Sequence, residues 1–238
     1  MMKLQVVFNN EVDDSKFAVG WGLSCLVGED FLFDTGESPD YLEHNMEILG
    51  IDPAQLKTVM ISHDHWDHTG GLWYILEQNP NIELVICTGF SEEFKKQVKP
   101  YGIKIREVEN FSQIGDNFWS TGPMVSNYSG DLLQEQSLVV KTDRGIALIT
   151  GCSHPGIDNI LEKVVEQFPS DPFYLAVGGF HLVNHQRSEL LMICSKFKEL
   201  KVQKVAPTHC TGQDAQNVFE EIYQENYLTA ETGKIFEI

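Results

Sequence analysis

The chain has 238 residues, with 17 Lys and Arg against 35 Asp and Glu, a formal charge of −18, and 42% apolar residues. That apolar share supports a core and excludes disorder as the default state, and the length suits one domain over 1–238. The acidic balance repels phosphate backbones and anionic lipids, so nucleic acid and membrane are not expected partners.

The opening "MMKLQVVFNNEVDD" lacks the pattern of a secretory signal, and no stretch has the apolar length of a membrane span. "LQVVFNN" reads as a first strand, and "LSCLVGEDFLFDTG" as a hairpin ending in Asp34-Thr35-Gly36. Residues 39–49 predict a helix, with Ser38 as cap, Pro39 in the first turn and Gly50 as stop. "LKTVMIS" is a short buried strand, and from Asp67 or His68 a helical pattern runs through Leu72, Ile75 and Leu76. "IELVICTG" is a strand and "SEEFKKQVK" a short helix. Residues 100–135 read as strands and loops that could wall a site.

"QSLVVKTDRGIALITG" is a hairpin turning at Asp143-Arg144-Gly145. Helix "GIDNILEKVVEQF", strand "FYLAVGGFHL", helix "SELLMICSKFKEL", strand "QKVAPTHCTG" and helix "QDAQNVFEEIYQEN" follow. Two β-rich stretches, each leading into β-α alternation, predict an α/β fold of two packed sheets with helices outside. The five cysteines (Cys25, Cys87, Cys152, Cys194 and Cys210) are scattered and form no C-x-x-C, which favours a reducing cytoplasm.

The densest chemistry lies in "SHDHWDHTGG". His63 and His65 are two apart at a strand end, so both rings can point to one side. Asp67 and His68 are adjacent and diverge, so the loop can offer a His pair to one metal and an Asp-His pair to a second. Imidazole and carboxylate suit Zn²⁺, Fe²⁺ or Mn²⁺. Gly70 and Gly71 let the backbone pass close by. Further donors must come from elsewhere. His154, His181 and His209 each follow an apolar strand beside Gly or Pro, where α/β sites gather. His44 and His185 read as surface residues.

These residues resemble the metallo-β-lactamase superfamily, whose signature H-x-H-x-D-H stands here as His63, His65, Asp67 and His68. The resemblance runs from Leu23 to His209 and implies the four-layer αββα sandwich. It implies that His63, His65 and His154 hold one metal, that Asp67, His68 and His209 hold a second, and that Asp34 orients the loop. Many members carry an aspartate after the penultimate strand that bridges the metals; here that strand ends "VGGFHL". His181 stands near that place and either joins the metals or faces the substrate, leaving water or hydroxide as the bridge. "GCSHPGI", "GGFHL" and "THCTG" further resemble a branch labelled dihydropteroate-synthase-like or dihydropterin-ribofuranosylaminobenzene-phosphate synthase.

The resemblance implies an enzyme with two divalent ions, zinc first, with iron or manganese as alternatives. The leading expectation is a hydrolase that uses a metal-bound hydroxide on an ester or phosphoester. Asp67 would orient the water, and His181 would bind substrate or protonate a leaving group. A pterin-related transferase, a mononuclear iron enzyme oxidising sulfur compounds and a non-catalytic metal scaffold are the alternatives. The expected substrate is a small anionic molecule, and a homodimer is expected on base rates. Trp66, Phe118, Trp119, Tyr128 and Phe180 could stack on a ring, with core packing the simpler role for each. Cys152 and Cys210 flank the histidines and read as small buried residues, with a thiolate ligand as the alternative. Backbone N–H groups after Gly156, with Ser153, could cradle a phosphate.

Overall fold

Period-two alternation decides which side chains face inward. In the computed structural model, which describes residues 2–238, one sheet holds β1 (Lys3–Asn9), β2 (Leu23–Val27), β3 (Phe31–Phe33), β4 (Thr58–Met60), β5 (Glu83–Cys87) and β6 (Lys104–Val108). The second holds β7 (Ser112–Gly115), β8 (Phe118–Ser120), β11 (Leu138–Thr142), β12 (Gly145–Thr150), β13 (Phe173–Gly179) and β14 (Lys204–Thr208). Between them in sequence, β9 (Met124–Tyr128) and β10 (Asp131–Glu135) form a separate two-stranded ribbon. β15 (Ile235–Glu237) pairs with β1 and closes the outer edge of the first sheet.

Cys25, Phe33, Met60 and Val85 of the first sheet meet Val140, Ile149 and Val177 of the second, all buried. Their alternate neighbours face outward onto helices. Leu32, Val59 and Leu84 pack against Leu42 and Met46 of α1 (Pro39–Leu49), and against Leu72 and Ile75. Leu148 and Ala176 meet α5 (Ile157–Gln167), α6 (Arg187–Glu199) and α7 (Gln213–Tyr223). The result is helices, two sheets and helices, as the resemblance implied. A register shift between Val6 and Phe8 turns Phe8 to the helix side.

α1 begins and ends as expected: Ser38 Oγ accepts from the Tyr41 N–H, and Gly50 ends the helix at φ 68°. The helix expected from Asp67 or His68 to just before Pro80 is instead broken into α2 (Trp66–Thr69) and α3 (Leu72–Gln78), with α4 (Glu92–Val98) following β5. Both residues at the break must be glycine. A Cβ on Gly70 would lie 2.0 Å from the Glu37 carbonyl oxygen, and one on Gly71 2.2 Å from that of Thr35. The glycines let the His loop close against residues 34–37. Among the described residues, no helix is long and apolar enough to cross a membrane.

Candidate metal centre

The parallel strands β3, β4, β12, β13 and β14 end on one edge, where their loops carry the donors. Four non-glycine residues there adopt left-handed backbone: Asp34, Ser153, His181 and His209, at φ 55°, 66°, 52° and 51°. Such residues carry local strain, and their gathering at one edge points to a site.

Asp34 is fully buried and organises the first loop. Its Oδ1 accepts the Ser62 N–H at 2.7 Å, and its Oδ2 accepts the Ser62 hydroxyl at 2.8 Å and His68 Nδ1–H at 2.6 Å. Ser62 Oγ also lies 2.8 Å from His63 Nδ1. With that hydroxyl donating to Asp34, His63 Nδ1 is the donor to Ser62. His63 then turns an unprotonated Nε2 toward the cluster, while His68 turns its Nε2 toward Asp67. His63 Nε2 lies 3.0 Å from His65 Nδ1, so two ring nitrogens converge on one point.

The donors fall into overlapping groups, each with its atoms within 4.8 Å of one another: His63, His65 and His154; Asp67, His68, Cys152 and His209; and Cys152, His154 and His181. Asp67 Oδ2 is 3.4 Å from Nε2 of both His68 and His209. The chain therefore brings together every residue expected to bind metal, with His181 at the edge beside His154, ring centroids 4.3 Å apart. Among the described residues, His154 Nε2, His181 Nδ1 and His209 Nδ1 are buried without a hydrogen-bond partner, an arrangement costly unless a ligand or ion satisfies it. This donor set fits divalent metal.

The electrostatics divide the donors: His63 and His154 are held neutral, while His68 is held protonated by its carboxylate partners and must lose that proton to ligate. Burial pushes His63 well below the usual histidine range. Burial, then the neighbouring His181 and His65, takes His154 down to about 3. Both stay neutral, as ligation requires. Burial would raise Asp67, but hydrogen bonds with His209 and His68 outweigh it and hold the carboxyl well below its usual range. Burial would lower His68, but the charge and hydrogen bond of Asp34 outweigh it and raise it.

A cavity of about 400 Å³ opens onto the donors. Trp21, Trp66 and Tyr128 wall it, and no Lys or Arg lines it. Tyr128, at the end of β9 beside the ribbon turn, lies 4.7 Å between centroids from both His65 and His154. Trp21 lies 4.9 Å from His209. The other candidate aromatics are structural: Phe118 stacks on Phe31, Trp119 packs on Phe168, and Phe180 packs on Phe197 and Phe219. Ser153 Oγ donates to the Gly179 carbonyl at 2.6 Å, so that hydroxyl is committed within the protein. Arg187 is exposed and pairs with Glu221, while His44 and His185 are exposed away from the cluster.

Sequence reasoning missed Trp21, which precedes the first hairpin without a motif. It also missed Glu135. That carboxylate is buried and accepts from the N–H groups of Cys152, Ser153 and His154 at 3.0, 2.7 and 2.7 Å. No sequence pattern records partners that are main-chain groups.

Paired sheets flanked by helices, with His and Asp donors gathered at one sheet edge, define a sandwich fold with a candidate metal centre. The metallo-beta-lactamase superfamily profile matches residues 25–209, and the chain belongs to that superfamily. Members usually bind divalent metals. A curated relative, 7,8-dihydropterin-6-methyl-4-(beta-D-ribofuranosyl)-aminobenzene-5'-phosphate synthase of Methanocaldococcus jannaschii, is 26% identical, with 93% of this chain and 91% of the relative covered. The solved structure of Tm1679, described as a metal-dependent hydrolase of the beta-lactamase superfamily, is 32% identical, with a TM-score of 0.85 over 100% of this chain and 99% of that one. The metallo-beta-lactamase fold protein YhfI from Bacillus subtilis is 14% identical, with a TM-score of 0.71 and 100% of each chain covered. That likeness shows the fold alone.

Proposed function

We propose that the chain is a metal-dependent enzyme whose substrate pairs a flat ring with a phosphate or diphosphate, and that it works as a pterin-related transferase. The observation that carries this reading is the pocket: aromatic walls, no cationic side chain, and a floor of metal donors. Aromatic faces suit a planar heterocycle. The synthase relative, similar over most of both chains, supports the same substrate class.

His63, His65 and His154 would hold one ion, and Asp67, His68 and His209 the other. When bound, these ions supply positive charge and Lewis acidity to phosphate oxygens. The chain's own groups do the rest. Asp34 and Ser62 fix which nitrogens of His68 and His63 face inward. Trp21, Trp66 and Tyr128 hold the ring and exclude water. An aromatic amine nitrogen displaces the diphosphate from a pterin methylene carbon. The C–O bond pair leaves with the diphosphate, the N–C bond forms, and the amine proton passes to a base. We assign that base to His181, which lines the pocket.

Mass analysis of product from metal-loaded protein, a dihydropterin diphosphate and a ribofuranosyl aminobenzene phosphate tests this. A coupled product is expected. Its absence, with turnover of a chromogenic phosphodiester, would instead support the hydrolase reading suggested by the 32% identical Tm1679.

Two further outcomes follow from the site. Trp21→Ala removes a ring wall, and its expected effect is on KM, about 10-fold upward, with kcat little changed. Aromatic stacking is worth ~1–3 kcal/mol, and about 1.4 kcal/mol is tenfold. An unchanged KM would remove Trp21 from the binding site. Stripping the metal with a chelator lowers thermal stability. Reloading to a thousandfold excess over Kd restores about 4 kcal/mol, or roughly 8–16 °C for a chain of this size. A melting curve indifferent to metal would count against the metal reading.

A further inference from the structure

The end of β13 carries no carboxylate, and it has no room for one. A Cβ on Gly178 would lie 2.1 Å from the Thr150 carbonyl oxygen. One on Gly179 would lie 2.3 Å from the Gly151 oxygen and 2.7 Å from Cys210 Sγ. The space between the donor groups contains sulfur instead. Cys152 Sγ lies 3.3 Å from His68 Nε2 and 3.4 Å from His209 Nε2. It belongs to one donor group with Asp67, His68 and His209, and to another with His154 and His181.

We propose that Cys152 is a metal ligand, its thiolate completing the Asp67–His68–His209 site from the position that lies between the two donor groups. This rests on the cluster being a metal centre. A cysteine kept only for packing faces apolar neighbours, as Cys25, Cys87 and Cys194 do in the three hydrophobic clusters. Cys152 instead faces two imidazoles, and Asp67 lies within the same group. Its backbone is pinned there, because its N–H donates to the buried Glu135.

The sulfur has two chemical consequences. On binding, the S–H bond is lost, a metal–sulfur bond forms from the sulfur pair, and the proton leaves to buffer. Thiolate and the Asp67 carboxylate then bring two negative charges to one dication, giving a locally neutral site. A thiolate also biases the site toward zinc or iron over manganese and magnesium. The sequence alone left that choice open.

Cobalt(II) alone, added to the metal-stripped full chain, is the probe, with cobalt content measured alongside the near-ultraviolet spectrum. Wild type is expected to take up cobalt and show a sulfur-to-cobalt charge-transfer band. Cys152→Ser loses the band, and Cys210→Ser, which removes the neighbouring thiol, keeps it. Should Cys152→Ser fail to fold, a band in wild type that survives Cys210→Ser still assigns the sulfur to Cys152, because no other cysteine lines the site. Cobalt uptake without a band overturns the assignment while leaving the metal centre standing. Loss of the band in Cys210→Ser overturns it in favour of Cys210. No uptake overturns both this proposal and the metal reading.

Discussion

Asp67→Ala is expected to abolish turnover and to release metal from the site it shares with His68 and His209. The carboxylate is buried, and its Oδ2 stands at equal distances of 3.4 Å from the two imidazole nitrogens. Hydrogen bonds from both imidazoles overcome burial and keep it ionised. Alanine removes an anionic donor from a group otherwise made of two imidazoles and a thiol. Charge stabilisation by a bound metal is worth several kcal/mol, so kcat/KM falls by at least ~10³-fold. Elemental analysis shows the loss directly. Asp34→Asn is the graded comparison. Asp34 orients His68 and the Ser62–His63 pair without standing in the donor groups, and loss of such a partner costs about 10- to 100-fold. If Asp67→Ala retained full metal and activity, or if Asp34→Asn were the more damaging change, this division of roles between ligand and orienting carboxylate would be wrong.

The division follows the chain's own spacing, and this explains why so much of the site could be read from sequence. H-x-H-x-D-H puts four donors on a strand end and a single helical turn, and local geometry sets their directions whatever surrounds them. His154, His181 and His209 were legible for a different reason. Each ends an apolar strand, and parallel strands in one sheet end together, so the fold brings them to one edge. Features that depend on contacts across the molecule left no such trace. Gly70 and Gly71, between α2 and α3, pack so closely against residues 35–37 that no side chain fits there. β15 exists because a short segment near the C-terminus meets β1 at the sheet edge. Trp21 reaches His209 across the cavity, although 188 positions separate them in the chain, and nothing in its own neighbourhood marks it as a wall. Cys152 was visible as a residue, but its role turns on what surrounds its sulfur.

Glu135 is the strongest case of a residue that only the structure exposes, and its removal carries a large expected effect on stability. It lies at the end of β10, is 1% exposed, and has no cationic partner among its hydrogen bonds. Burial raises its carboxyl to about 7, even though three backbone N–H bonds oppose the shift. Those bonds fix the loop that carries Cys152 and His154, including Ser153 in its left-handed conformation. Glu135→Ala leaves three buried N–H groups without an acceptor. Each orphaned group costs roughly 1–3 kcal/mol, so the total is about 3 kcal/mol or more, equivalent to ~6–12 °C in Tm. Glu135→Gln separates this loss of acceptors from loss of charge. Its single carbonyl oxygen can keep the two bonds that Oε1 makes to Cys152 and Ser153. Its amide nitrogen then faces the His154 N–H, donor against donor, where Oε2 accepted at 2.7 Å. The glutamine variant is therefore expected to fold with a smaller loss of Tm than alanine, yet to bind metal more weakly, because the strain falls on His154. Calorimetry with metal titration reads both quantities. Equal stability of all three proteins, or metal affinity unchanged in Glu135→Gln, would show that the loop holds its shape without this carboxylate.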